Sequence, residues 1–490
     1  MAQSRTVKVL ALSTGQGLTA FVSLAAAAVL TRVLSVRDYA TYRQTLLAYS
    51  FAAPLLTLGL PTALYYFLPG EEKRRRGVLF DNLAALTLMG FVFGAFLLLG
   101  GNRLLAWRFK NPALIAPLRW MAVYAIFTLP AGAIGACLTV QNRVTQLSIF
   151  NVISRAMTLG TIIIAALLWP DPLVAIKTNV ICAGLVLVFA LWMMVLAVPR
   201  DQATVSVHGM FAMAKYAIPL GLASMLGTLT LQLGQVIVSF MGSPEEFAVY
   251  ANGAIEIPLI GIITGSIAAV ILVDMRKAAA EGNPHEALRL FRTAASKSAA
   301  ILLPAMSFLW FFASDCIMLL YSEKYAGSVT PFRLYLLIMP ARIVFFGSAL
   351  MALGWTRLVL VRSVGDLALN VVLSIILVRM VGMMGAAIAT VLMIYLWSAP
   401  FNLWYVSKGF RCRFLEPIPW VAVGRSLVAS LAAAFVAAAV TPAGSLRPAL
   451  RLIGGGAVFL TLYLAACYLL RTELRYTLSA CGGRLLAWVR

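Results

Sequence analysis

Residues Ser35-Val-Arg-Asp-Tyr-Ala-Thr-Tyr42 and Ser243-Pro-Glu-Glu-Phe-Ala-Val-Tyr250 are two versions of one octamer, 208 positions apart. Serine, alanine and the last tyrosine coincide, and the acidic and aromatic positions are conservatively exchanged. Each copy follows a long apolar run and precedes another. A fainter echo links Gly135-Ala-Cys-Leu to Gly347-Ser-Ala-Leu at an offset of 212, each ahead of a short basic turn at Arg143 or Arg357. Six apolar runs separate the octamers. An even number brings both copies into the membrane in the same direction, so the repeat is parallel, about an axis along the membrane normal.

The rest of the chain agrees with a membrane reading. Of 490 residues, 62% are hydrophobic and 11% charged, whereas a soluble domain has about 25% charged residues. A spanning helix needs about 20 apolar residues, and fourteen runs qualify as candidates: 8–30, 44–68, 81–101, 114–140, 146–169, 173–198, 213–240, 247–273, 297–320, 331–353, 358–378, 382–406, 420–440 and 451–470. The expected fold is an all-α polytopic membrane protein of about 14 transmembrane helices. Residues 1–200 form one six-helix lobe, 210–407 a second in parallel pseudo-twofold repeat, 420–470 two extra helices and 471–490 a cytoplasmic tail. Two such lobes facing one another would enclose a central cavity. The longest polar connection, 276–293, reads as a small amphipathic helix.

The chain carries 39 Lys+Arg against 17 Asp+Glu. Such basicity suits anionic lipid or an anionic substrate. Nucleic acid is set aside because no basic cluster lies in a soluble module. With the N-terminus in the cytoplasm, the inside segments hold 25 of the 39 cations and the outside segments 13. The positive-inside rule then puts both termini in the cytoplasm. The opening MAQSRTVKVLALS reads as a retained first span, since no small-residue cleavage site interrupts the apolar run. The run Lys73-Arg-Arg-Arg76 reads as a solvated clamp on anionic lipid.

Ionisable groups inside spans are functional candidates by default. Glu256, Arg342 and Asp366 lie deepest; Asp315, Arg155 and Lys177 sit nearer span ends, where long side chains snorkel. Glu256 precedes Pro258, which suggests a kink. It is the coupling-ion candidate, with a structural ion pair to Arg342 as the alternative. Asp366 is one turn from Arg362, a spacing that suits a pair within one helix. Thr228, Gln232, Gln235 and Ser239 form one stripe on the seventh span, and Gln16, Thr19 and Ser23 another on the first. These spans correspond in the repeat, so both stripes are expected to line a shared cavity, interhelical hydrogen bonding being the alternative. Arg43 and Lys215 each start a helix beside the repeat axis. The substrate-binding candidates are therefore Gln16, Arg43, Lys215, Gln232 and Gln235.

The six cysteines lack metal-ligand spacing, and His208 and His285 stand alone, so no metal or cofactor is expected. Walker A and Gly-x-Ser-x-Gly motifs are absent, and no sizeable soluble domain is left for an enzyme.

The opening Gly17 to Leu64 resembles the start of the polysaccharide and O-antigen flippases. These belong to the multidrug/oligosaccharidyl-lipid/polysaccharide exporter superfamily. The matching features are the Arg-x-Leu-Ser turn at Arg32 to Ser35, the Tyr-rich stretch Tyr39 to Tyr42 and Leu-Gly-Leu-Pro at Leu58 to Pro61. Ala352 to Arg357, Asn370 and Gly382 to Ile388 resemble the family's second half. The resemblance implies two six-helix bundles, alternating access, ion-gradient coupling and an undecaprenyl-diphosphate-linked oligosaccharide as cargo. It implies a multi-pass protein of a bacterial inner membrane that supplies surface polysaccharide or lipopolysaccharide synthesis. The expected partners are membrane lipid and polysaccharide polymerase machinery, and the protein itself is expected to be a monomer. The family often carries an aspartate in the seventh span shortly before the repeat turn. Gln235 stands there in this chain, which turns attention to Glu256. A small-molecule exporter of the same superfamily and a non-transporting assembly protein are the alternatives.

Overall fold

The computed structural model describes residues 5–71, 73–444 and 447–469. The expected cytoplasmic tail, 471–490, lies outside them. No strand occurs among the described residues. The helices are α1 (Arg5–Val33), α2 (Val36–Gly70), α3 (Arg75–Arg108), α4 (Pro112–Val140), α5 (Val144–Leu168), α6 (Pro172–Ala197), α7 (Val207–Met241), α8 (Pro244–Gly253) and α9 (Pro258–Ala280). They continue with α10 (Pro284–Phe311), α11 (Ala313–Tyr321), α12 (Val329–Leu336), α13 (Met339–Arg342), α14 (Phe346–Ala352), α15 (Thr356–Val381), α16 (Met384–Gly409), α17 (Trp420–Val440) and α18 (Pro448–Leu469). Among the described residues, eleven helices are long and apolar enough to cross a membrane, or twelve if the bent pair Glu323–Leu336 and Met339–Ala352 is one span. Large apolar side chains such as Leu99, Trp107, Val188 and Phe211 lie exposed, as hydrocarbon contact allows and water does not. The protein is a multi-pass membrane protein.

By internal packing the chain divides into two units. The first runs to Ala251 and takes in Asn370–Ala386; the second holds Asn252–Leu369 and the chain from Ala387 onward. Helix α7, which the repeat assigns to the second lobe, packs within the first unit. The core of that unit is built from Leu64, Leu68, Leu79, Leu86, Leu138, Met194 and Ala217. Helix α2 is interrupted inside it. Leu58 (φ 45°) and Gly59 (φ 78°) are left-handed, and Leu60-Pro61 restarts the helix. Gly59 and Gly221 of α7 meet back to back, and a Cβ on either would fall 2.9 Å from the other's backbone. Asn82 takes up a carbonyl at the restart, its Nδ2 donating to Leu60 O at 2.7 Å.

In the second unit Phe291 sits between Phe346 and Phe410, at ring distances of 6.1 and 5.7 Å, beside Met275, Leu350 and Val406. A second cluster joins Phe312 to Ala433, Ala437 and Tyr463 on α17 and α18.

Three features differ from the reading of the sequence. Residues 276–293 are not one amphipathic helix: α9 ends at Ala280 and α10 starts at Pro284. Left-handed Gly282 makes the turn, and the Asn283 side chain caps α10 by accepting from Glu286 N. Asp315 does not snorkel; it is buried and accepts from Arg451 Nη1, while Arg451 Nε donates to Thr441 O at 2.7 Å. The run 73–76 is not wholly solvated. Arg74 reaches the fully buried Asp81 at 2.9 Å, Arg76 Nη2 donates to Val195 O at 3.3 Å, and Asp201 accepts from the backbone N–H groups of Arg75 and Arg76.

Candidate functional site

The repeated octamer folds the same way twice. Ser35 caps α2 by accepting from Asp38 N at 3.1 Å. Ser243 accepts from Glu246 N at 3.1 Å while Glu246 accepts from Ser243 N at 2.8 Å, a reciprocal capping box. The aromatic, alanine and tyrosine that follow are buried in both copies: Tyr39, Ala40 and Tyr42, and Phe247, Ala248 and Tyr250. The copies also touch at equivalent positions. Arg37 lies 4.0 Å from Glu245, and Arg43 Nη2 donates to Ala251 O at 3.5 Å.

Arg43 is half-buried on α2, its guanidinium 6.0 Å from the Tyr39 ring. Its neighbourhood is polar and aromatic. Tyr49 packs edge-on to Tyr124 at 4.9 Å and accepts from Thr128 Oγ1 at 2.6 Å, and Asn179 hydrogen-bonds Tyr124. Arg155, near enough to Tyr42 and Tyr124 to act on them electrostatically, donates to Ser23 Oγ through Nε at 3.1 Å and Nη2 at 3.0 Å. The sequence puts Arg155 near a span end, but it lies well inside α5 and faces the α1 stripe. Its distance from the first basic turn at Arg143 was the only available signal.

The α7 stripe separates into two uses. Gln232 and Ser50 exchange hydrogen bonds, at 2.9 and 3.1 Å, and Ser239 accepts from Gln44 at 2.7 Å. Asn111 completes a buried network by donating to Gln44 and Thr41, each at 2.9 Å. Gln232 and Ser239 thus tie α7 to α2, as hydrogen bonding between packed helices requires. Gln235 is half-buried and makes no hydrogen bond among the described residues, and Lys215 is exposed on α7. The side chain of Gln16 lies outside the described residues.

In the second unit Glu256 stands in the non-helical break between α8 and α9, and Pro258 opens the new helix. Its partner is Arg342 at the end of the one-turn α13, whose Nη2 donates to Glu256 Oε1. Both ends of this ion pair therefore sit at helix discontinuities, where freed backbone groups and charge gather. Neither is sealed off: Arg342 is 44% and Glu256 42% exposed. Asp366 pairs with Arg362 at 3.3 Å along α15, and Arg362 also donates to Ser398 Oγ at 3.2 Å.

A cavity of about 670 Å³ opens in the first unit, apolar along Leu47, Phe51, Leu233, Ile237 and Ile375, with Arg108 and Arg379 in its wall. No cluster of His, Cys, Asp or Glu among the described residues could hold a metal ion.

Residues 29–330 match the family described as polysaccharide biosynthesis protein. No curated protein matches the sequence. Among solved structures, "Lipid II flippase MurJ, inward closed conformation" is 14% identical with a TM-score of 0.74, covering 94% of this chain and 99% of that one. An inward-facing multidrug resistance MATE transporter of the MOP superfamily is 14% identical at TM-score 0.63, covering 83% and 99%. A MOP superfamily transporter from Pyrococcus furiosus is 14% identical at 0.60, covering 82% and 96%. At this identity the likeness shows the fold.

Proposed function

The chain belongs to the polysaccharide biosynthesis protein family, and from that premise we propose that it is a flippase for a polyprenyl-diphosphate-linked oligosaccharide. It would work by alternating access in a bacterial inner membrane, with both termini cytoplasmic. The family match carries this reading, and the flippase fold supports it. The contacts between equivalent residues support a pseudo-twofold relation of 1–200 to 210–407, because matched positions meet only beside the axis that relates them.

Cations suit the diphosphate. Arg43, Arg155 and Lys215 can each offer charge-assisted hydrogen bonds, and the forked guanidinium fits phosphate oxygens two at a time. Tyr124 beside Arg155, and Tyr49 packed on it, offer ring faces and hydroxyls to sugars, and Gln235 offers an amide. The polyprenyl tail stays in lipid. Glu256 is the coupling candidate: its half-exposed carboxylate stands at a helix break and accepts the bond from Arg342.

The matched MATE transporters favour a second reading, export of small molecules. A strain lacking the protein separates the two. Loss of surface polymer with accumulation of lipid-linked oligosaccharide supports the flippase. Intact polymer with hypersensitivity to cationic drugs supports the exporter.

A further inference from the structure

A cavity of about 500 Å³ lies in the second unit where α10 and α17 begin, far along the chain from every residue discussed as cargo-binding. His285, Arg289, Arg292 and Arg425 line it, with the hydroxyl residues Thr293 and Ser296 between them. Glu286 neutralises one cation, since Arg289 donates to it through Nε at 2.7 Å and Nη2 at 2.6 Å. Arg292 and Arg425 form no ion pair or hydrogen bond among the described residues. Both are exposed at the wall of the cavity, where their guanidiniums can offer charge-assisted hydrogen bonds to an anion. The backbone adds to the same sign at α17, which starts here at Trp420 without a side-chain cap, so that its first N–H groups favour negative charge.

The surroundings fix the depth. Trp420 opens α17, exposed, with its Nε1 donating to Leu415 O at 3.0 Å. Trp404, also exposed, carries the Lys408 ammonium 4.5 Å from its ring. Tryptophans of this kind mark the membrane–water interface. Below Trp420, Val421, Val428 and Phe435 are exposed at seven-residue spacing and make one apolar strip down α17. A molecule held in the cavity thus has cations at headgroup level and an apolar track beneath it.

We propose that this cavity is a binding site for the phosphate of an anionic phospholipid, held by Arg292 and Arg425, with an acyl chain lying along the Val421–Val428–Phe435 strip. The basic-residue count places this end on the cytoplasmic side, where anionic lipid faces such pockets. The site is independent of the cargo: it serves equally a flippase or an exporter.

The test uses the purified full-length protein. Native mass spectrometry after delipidation and titration with phosphatidylglycerol, phosphatidylcholine or inorganic phosphate reads what is retained. Wild type retains phosphatidylglycerol over phosphatidylcholine, and inorganic phosphate does not displace it. The Arg292→Gln/Arg425→Gln variant binds phosphatidylglycerol roughly tenfold or more weakly, as removal of two interfacial cations implies, and unfolds at the wild-type temperature in phosphatidylcholine. Equal retention by variant and wild type overturns the proposal. So does displacement by inorganic phosphate, which makes it a free-phosphate site, or unfolding of the variant in phosphatidylcholine, which makes the arginines structural.

Discussion

Arg43 donates across 3.5 Å to the carbonyl of Ala251, the residue that stands 208 positions further on and holds the same place in the second copy of the repeat. Arg37 and Glu245, another matched pair, approach to 4.0 Å. The internal repeat, five matching positions in an octamer, is therefore also a point of contact. It sets Arg43 against the backbone of its counterpart in the second copy.

Arg43→Ala and Arg155→Ala should each lower surface polysaccharide while leaving protein levels intact. A lost charge-assisted hydrogen bond costs about 1.5–3 kcal/mol, roughly tenfold or more in affinity for the diphosphate. Arg43→Lys should be milder, since it keeps the charge and loses only the fork. Quantified polymer alongside immunoblots checks this; normal polymer in both alanine variants removes the diphosphate role.

Gly59→Ala and Gly221→Ala should destabilise the first unit. A methyl at either position meets backbone at 2.9 Å, and Gly59 also has a φ of 78°, where an L side chain adds about 1–2 kcal/mol. Gly227→Ala on the same α7 has nothing within 4 Å and should be neutral or slightly stabilising. Thermal unfolding in detergent orders the three.

Hydropathy carried most of the architecture, because a buried or lipid-facing helix must be apolar over its length. The octamer was legible because a capping box and its buried aromatics are local in sequence. The pairing of Glu256 with Arg342 was open as one of two readings, since both are charges deep in apolar runs. What depends on tertiary neighbours was not legible. Nothing near Gln232 names Ser50, and nothing near Ser239 names Gln44. Asp81 was hidden because α3 starts at Arg75, a turn and a half earlier than the apolar run. The break at Leu58-Gly59 looked like a motif and not a discontinuity, because a left-handed leucine has no sequence signature.

Arg451→Met should be strongly destabilising. It strands the buried Asp315, at a cost of about 3–5 kcal/mol for a broken buried pair. The Asp315→Leu/Arg451→Met double variant should recover most of the loss, because apolar replacement of both partners is often neutral. If the double variant is no better than the single, the pair does not act as a unit.

Glu256→Gln should behave differently. Its pair with Arg342 is more than two-fifths exposed on both sides, and exposed pairs contribute about 0–1 kcal/mol. Stability should hardly change, while transport should lose its response to an imposed pH gradient. Retained gradient response in a stable Glu256→Gln protein excludes the coupling role, and marked unfolding rescued by Arg342→Met would make the acid structural.

Movement of a lipid-linked oligosaccharide can be followed directly by reconstitution. Purified protein is placed in vesicles carrying a labelled polyprenyl-diphosphate oligosaccharide, and an enzyme that cannot cross the membrane modifies whatever sugar reaches the outer leaflet. Wild-type vesicles should expose the whole pool with time, and Arg43→Ala/Arg155→Ala vesicles only the outer-leaflet share seen without protein. Wild-type vesicles that protect the inner pool as fully as protein-free ones, while releasing a trapped cationic dye, would contradict the account.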